Sequence, residues 1–261
     1  MSKANLVLLN KTLLTQLTSM ELKLITLSDL IKNSWSLYIN NIKIMLLPIG
    51  ITIPPYILLY LSDFFSFPGQ TIISLLILAS AVFINLWISI LLIELVDKIL
   101  KNQGLNLNEL FQSSMKKVAS YFWVGILVGL ITMLGFILLI IPGIIFAIWY
   151  SFAEYIVVLE DKDNKGLKAL SVSKDLVKGR WGAAFWRLVI PALILYTAGI
   201  IIALVLTLIF SLGNVDFSTL DQNLIFNALT SLVFLCLAPL FTAYGVILYN
   251  NFKKTERTII Q

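Results

Sequence analysis

The chain has 261 residues, 59% of them hydrophobic and only 13% charged, with 19 Lys and Arg against 14 Asp and Glu and a mean hydropathy of +0.94. A soluble domain carries about half its residues as apolar and about a quarter as charged, so this chain reads as an all-α, polytopic membrane protein. The absence of histidine excludes His-based general bases, Ser–His and Cys–His nucleophiles and His-ligated metals, and the single cysteine, Cys236, excludes an intrachain disulfide or a thiolate cluster.

In chain order, residues 1–25 read as a cytoplasmic extension. Its apolar piece Leu6-Val7-Leu8-Leu9 is too short for a signal peptide and has no small-residue cleavage site behind it, and Met20 is as plausible a translation start as Met1. A helix needs roughly 20 apolar residues to cross about 30 Å of hydrocarbon. Room for a first span lies between Lys43 and Asp63, interrupted by Pro48, Pro54 and Pro55. A second runs from Phe64 to Ile93, after the turn Phe67-Pro68-Gly69, with Asn85 placed for an interhelical hydrogen bond. The stretch from Lys117 to Glu154 holds no charge between its ends. As one helix it would be roughly 54 Å long, too long for one crossing, so it divides into two spans with a turn at Ile141-Pro142-Gly143. Two further spans fit between Arg187 and Asp216 and between Asp221 and Lys253, making six.

Charge placement supports that count. With six spans, all 19 Lys and Arg fall on one side, in the N-terminal segment, the loops around Lys98–Lys117 and Lys162–Arg187, and the tail, whereas the other side carries only Asp63, Asp216 and Asp221. The positive-inside rule then makes both termini cytoplasmic and the protein multi-pass. The membrane domain spans 26–252, as units 26–104, 105–164 and 165–252, and 253–261 forms a cytoplasmic tail.

The three units repeat one helical face. Leu27, Leu30, Ile31, Trp35, Tyr38 and Ile42 recur eighty residues later as Leu107, Leu110, Phe111, Met115, Val118 and Phe122. Sixty-six residues further on they recur as Ser173, Leu176, Val177, Trp181, Ala184 and Leu188, with Ser173 the one polar exception. The first two copies open with capping boxes, Thr26-Leu27-Ser28-Asp29 and Asn106-Leu107-Asn108-Glu109. One apolar and one lysine-bearing face suit a helix lying in the headgroup plane. The expected architecture is therefore three transmembrane hairpins, each preceded by an amphipathic interfacial helix. The alternative is that these segments are simply the starts of long transmembrane helices.

The third copy of the repeated helix and its approach carry a family resemblance. Ile141-Pro142-Gly143, then Glu160, then Ala169-Leu170-x-x-Ser173-x-x-Leu176-x-x-Gly179 resembles the bacterial YciC-like integral membrane proteins, related to the membrane domain of some glycerophosphodiester phosphodiesterases. The resemblance implies a bacterial inner-membrane protein and lipid-related work, and brings no established activity with it.

Two residues are candidate intramembrane ionisable sites. Glu154, roughly 18 Å along the helix from Pro142, is either a proton or cation site, or a structural partner of Arg187 or another inner-leaflet base, or a side chain reaching the interface. Glu94 is placed four residues before Lys98 for a helical ion pair. Lys174, Lys178, Arg180 and Trp181, in the richest basic segment, are candidate contacts for anionic lipid headgroups. Cys236 reads as a small core residue. No nucleotide-binding loop and no paired mid-membrane acids are present, so no enzymatic activity and no cofactor are expected, and nucleic acid is disfavoured because the basic residues fringe the membrane. The leading reading is a non-enzymatic, lipid-associated protein that organises membrane or envelope at the cytoplasmic leaflet. The alternatives are a small transporter or channel with Glu154 in its pathway and the proline-broken first span as a gate, or an accessory subunit of a membrane complex.

Overall fold

The computed structural model of the chain describes residues 24–62, 69–160, 166–212 and 224–260. Most of the N-terminal extension, the Phe67-Pro68 part of the first turn, and Lys162, Lys165, Asp216 and Asp221 lie outside the described residues. The described residues are helical, without strands: α1 (Leu27–Asn40), α2 (Ile42–Leu46), a 3-10 turn (Pro48–Thr52), α3 (Ile53–Ser62), α4 (Gln70–Leu100), α5 (Leu107–Leu138), α6 (Ile140–Trp149), α7 (Ala153–Leu159), α8 (Leu167–Val177), α9 (Trp181–Leu212) and α10 (Leu224–Ile260). Six stretches are long and apolar enough to cross a membrane: Ile42–Leu59, Gln70–Leu100, Leu107–Leu138, Ile140–Leu159, Trp181–Ile209 and Ser231–Thr255. That is the number and order the sequence predicts, and it is compatible with a multi-pass membrane protein.

Both predicted helix starts are capped by side chains. The Thr26 hydroxyl accepts from the Asp29 N–H and donates to the Asp29 carboxylate, and the Asn106 carbonyl oxygen accepts from the N–H groups of Asn108 and Glu109, which relieves the open donors of a first helical turn. Proline shapes the first span as expected. Pro48 opens the 3-10 turn, and Pro54 and Pro55 sit in the first turn of α3, where a missing N–H costs no helical bond.

The turn inside the Lys117–Glu154 stretch departs from expectation. The chain reverses at Leu139, the only non-helical residue between α5 and α6, and Ile141-Pro142-Gly143 forms the start of α6. Proline is as comfortable in the first turn of a helix as in a loop, so the same tripeptide opens a helix here. Gly135 and Gly143 face each other across the hairpin. A Cβ on Gly135 would lie 2.9 Å from the Gly143 Cα, so two missing side chains let the helices touch.

The repeated segments take three different forms. The first is the separate helix α1, which lies along α10: the Ile25 N–H donates to the Asn251 side chain at one end and the Tyr38 hydroxyl to the Cys236 carbonyl at the other. The second is the first half of the unbroken 32-residue helix α5 and so shares its span's axis. The third is divided between α8 and α9 by a corner at Lys178–Arg180, where Gly179 adopts φ +75°. What the three share is a buried flank at matching offsets: Leu30, Ser34 and Tyr38; Leu110, Ser114 and Val118; Leu176 and Ala184. In the first two copies the other apolar flank, Ile31 and Trp35 or Met115 and Phe122, is exposed, whereas in the third Val177 is buried.

Burial is concentrated at the lysine-bearing end of the bundle. One contiguous core joins Leu30–Ile49, Ile88–Val96, Leu110–Val124, Ile148–Val158, Ala169–Ala184 and Leu240–Phe252. Beyond it, Tyr56 to Leu61, Ile72 to Phe83, Leu130 to Ile141 and Leu193 to Ile209 present exposed large apolar side chains.

Candidate functional site

The acidic residues near the core are tied to neighbouring helices. Glu94, on α4, meets Lys117 of α5 at 2.6 Å and accepts from the Ser113 hydroxyl at 2.9 Å. The expected Glu94–Lys98 pair is replaced because α4 and α5 pack antiparallel and bring Lys117 alongside. Lys117 also donates to the Val158 carbonyl, pinning the end of α7. Asp97 pairs with Lys101 and accepts from Asn250, and Glu160 pairs with Lys253 at 2.7 Å and accepts from the Tyr249 hydroxyl.

Glu154 stands apart. It accepts from the Tyr121 hydroxyl at 2.9 Å, and among the described residues no Lys or Arg lies within ion-pair distance of it. The expected Arg187 partner is engaged elsewhere: its guanidinium donates twice to the Ile25 carbonyl, at 3.0 and 2.8 Å, and once to Ala183. A preceding backbone carbonyl thus takes the place of the carboxylate, and Arg187 locks the approach to α1 onto α9. Asn85 makes the interhelical hydrogen bond expected of it, to the Tyr56 hydroxyl at 3.0 Å. Tyr38 is held above its ordinary pKa, chiefly by burial and then by Cys236, so its hydroxyl keeps its proton and its bond to α10.

The fourth span is broken at Tyr150–Phe152, between α6 and α7. Ser173 fills the break: its hydroxyl donates to the Trp149 carbonyl at 2.8 Å and accepts from the Phe152 N–H at 3.1 Å. The polar exception in the repeated face is therefore the residue that satisfies an interrupted helix.

Beside that break lies a groove of about 660 Å³, bounded by Ile141, Ile144, Ile145 and Trp149 of α6 and by Lys178, Gly179, Trp181 and Phe185 at the α8–α9 corner. Its walls are apolar except at Lys178. That lysine is exposed at the C-terminal cap of α8. Trp181 stacks on Phe185 at 5.2 Å, and its indole N–H is buried with no acceptor among the described residues. Lys174, also exposed, sits with its ammonium 4.6 Å from the centre of the Trp149 ring. The structure thus gathers Lys174, Lys178 and Trp181 at one place. Arg180 turns away from them. It donates to Thr255 and to the carbonyls of Leu176 and Phe252 and lies over the Phe252 ring at 4.9 Å, because the left-handed turn at Gly179 points it at α10. It is a tether for the corner and not a groove contact. An apolar trough with an exposed ammonium at its edge suits an amphiphile with an anionic end. Sequence reasoning found the lysines and Trp181 but not the isoleucine wall, since nothing in an all-apolar helix marks which residues face a groove.

No protein-family model, curated protein or solved structure matches the chain.

Proposed function

We propose that this is a non-enzymatic, multi-pass inner-membrane protein that holds an anionic lipid in the groove beside α6, with the lysine-bearing end and both termini toward the cytoplasmic leaflet. The resemblance to YciC-like proteins belongs to the same reading. The observation that carries it is the coincidence, at the α8–α9 corner, of an open apolar groove with the exposed Lys178. The volume falls within the range of ordinary small-molecule sites, roughly 300–1,000 Å³. A basic residue near an anionic headgroup contributes about 1 kcal/mol, which is about fivefold in partitioning. The protein should therefore retain anionic over neutral phospholipid when purified from a defined mixture and read by native mass spectrometry. Lys178→Gln should reduce that preference about fivefold, and Ile145→Trp, which fills the groove, should abolish retention of both. Equal retention by all three proteins would overturn the reading.

A second reading, a small transporter with Glu154 in its pathway, is favoured by one observation: Glu94, Asp97 and Glu160 each have a lysine partner, whereas Glu154 has none among the described residues. In proteoliposomes, Glu154→Gln would then remove ion flux from a protein that still folds, and unchanged flux would end this reading.

A further inference from the structure

The second hairpin differs from its neighbours in what it carries at its tip. The outer ends of the first and third hairpins contain Asp63 and Asp216 with Asp221, whereas from Met133 to Ile148 there is no charged or hydrogen-bonding side chain at all. The tip is nonetheless the most open run of apolar side chains among the described residues: Ile137, Leu138, Leu139, Ile140 and Ile141 are 67–72% exposed. Five consecutive aliphatic side chains facing water would forgo on the order of 1.5–3 kcal/mol each.

Length points the same way. Trp123, exposed on α5, marks a membrane–water boundary, since tryptophan favours the headgroup level. The exposed Lys116 lies one interfacial layer below it, about 10 Å along the helix. From Trp123 to Leu138 the helix rises only about 22 Å, short of the roughly 30 Å of hydrocarbon. By contrast α9 rises about 39 Å from the exposed Trp186 to Leu212. Only Leu139 leaves the helical path. Its N–H donates to the Gly135 carbonyl at 3.0 Å, its carbonyl accepts from Gly143 at 3.3 Å, and Pro142 brings no N–H to a helix start that would leave one open.

We propose that the α5–α6 hairpin is re-entrant: its Phe136–Ile141 tip ends within the hydrocarbon of the far leaflet, with lipid acyl chains as its contact partner, and both its limbs return to the lysine-bearing side. This rests on the membrane reading above. It makes α6 a membrane-embedded wall for the groove, whose far edge is Ile141 and whose near edge carries Lys178.

The test is spin labelling in lipid nanodiscs, in a Cys236→Ala background, of Leu139→Cys, Lys116→Cys and Ser66→Cys; Ser66 lies outside the described residues. Collision with oxygen, which concentrates in hydrocarbon, is compared with collision with a polar nickel chelate, which stays in water. The label at Leu139 should collide with oxygen and lose nickel collision, while those at Lys116 and Ser66 collide readily with nickel. Nickel access at Leu139 equal to that at Ser66 would place the tip in water and overturn the proposal. Loss of both collisions would place it against protein, with the same effect. Absence of nickel access at Ser66 and Lys116 would count against the membrane reading itself, a separate failure.

Discussion

Ser173 shows how much one hydroxyl can do where a helix is interrupted inside an apolar bundle. The break at Tyr150–Phe152 releases a carbonyl and an N–H in a region with few polar neighbours, and the fully buried Ser173 meets both. Removing it leaves two backbone groups unpaired, at about 1–3 kcal/mol for a buried group left without its partner. Ser173→Ala should lower the unfolding temperature measurably in mild detergent. Ser34→Ala should do so much less, because the Ser34 hydroxyl only bonds back to the Leu30 carbonyl of its own helix. Equal losses would mean that Ser173 acts by packing alone. A charge pair offers a parallel test. Glu94 is nearly buried and its pair with Lys117 is not fully solvated, so Lys117→Met leaves a carboxylate stranded, a change that costs several kcal/mol when a buried pair is broken. The double variant Glu94→Gln with Lys117→Met should recover most of that loss, read by the same thermal unfolding. Ser173 stood out in the sequence as the exception to an apolar register, but its use did not, because that depends on a helix break nearly twenty-five residues away.

At the scale of elements, the α5–α6 hairpin is held by an approach that glycine alone permits. A Cβ at Gly135 would sit 2.9 Å from the Gly143 Cα, which belongs to backbone and cannot swing aside, whereas a Cβ at Gly143 would chiefly meet the ring of Phe136. Gly135→Ala should therefore cost about 1–3 kcal/mol as overpacking, and Gly143→Ala less, because the half-exposed Phe136 side chain has room to rotate. Gly129→Ala on the same helix, with nothing within 4 Å of its Cβ, should be neutral or stabilise by up to about 1 kcal/mol through helix propensity. Thermal unfolding of the three variants checks the order, and a neutral Gly135→Ala would mean the helices do not touch there. The number and placement of the six apolar helices could be read from sequence, because length and composition are local properties. The capped starts at Thr26 and Asn106 were legible for the same reason. What escaped was relational. Pro142 marks either a turn or a helix start, and only the packing of Gly135 on Gly143 selects the second. Glu94 had a plausible partner one turn away at Lys98, and only the register of α4 against α5 replaces it with Lys117. An amphipathic pattern likewise does not say whether its polar face meets headgroups or whether its apolar face divides, as it does here, between a buried flank and an exposed one.

Across the whole molecule, side-chain packing and membrane-facing surface are separated along the bundle axis. The lysine-bearing end holds a contiguous core together with the ion pairs and most of the interhelical hydrogen bonds, and the far end holds apolar helices whose side chains point outward. Helices in hydrocarbon gain little from burying apolar side chains against each other, since lipid tails are as apolar as leucine. Stability that depends on packing should therefore reside at the lysine end, which also positions the groove and its corner. Leu91 and Leu95 on α4 and Leu248 on α10 are fully buried there, whereas Leu75 on α4 and Leu204 on α9 are 59% and 63% exposed. Each buried Leu→Ala change should cost about 2–5 kcal/mol, the transfer term plus the cavity left behind. Leu75→Ala and Leu204→Ala leave no cavity and should stay within about 0.5 kcal/mol, as surface substitutions do. Reversible unfolding of the purified protein in one detergent, with the variants compared side by side, gives the contrast directly. Comparable losses in both groups would mean that the outer helices are packed in the purified protein as well, and the division between a packed end and a lipid-facing end would fail.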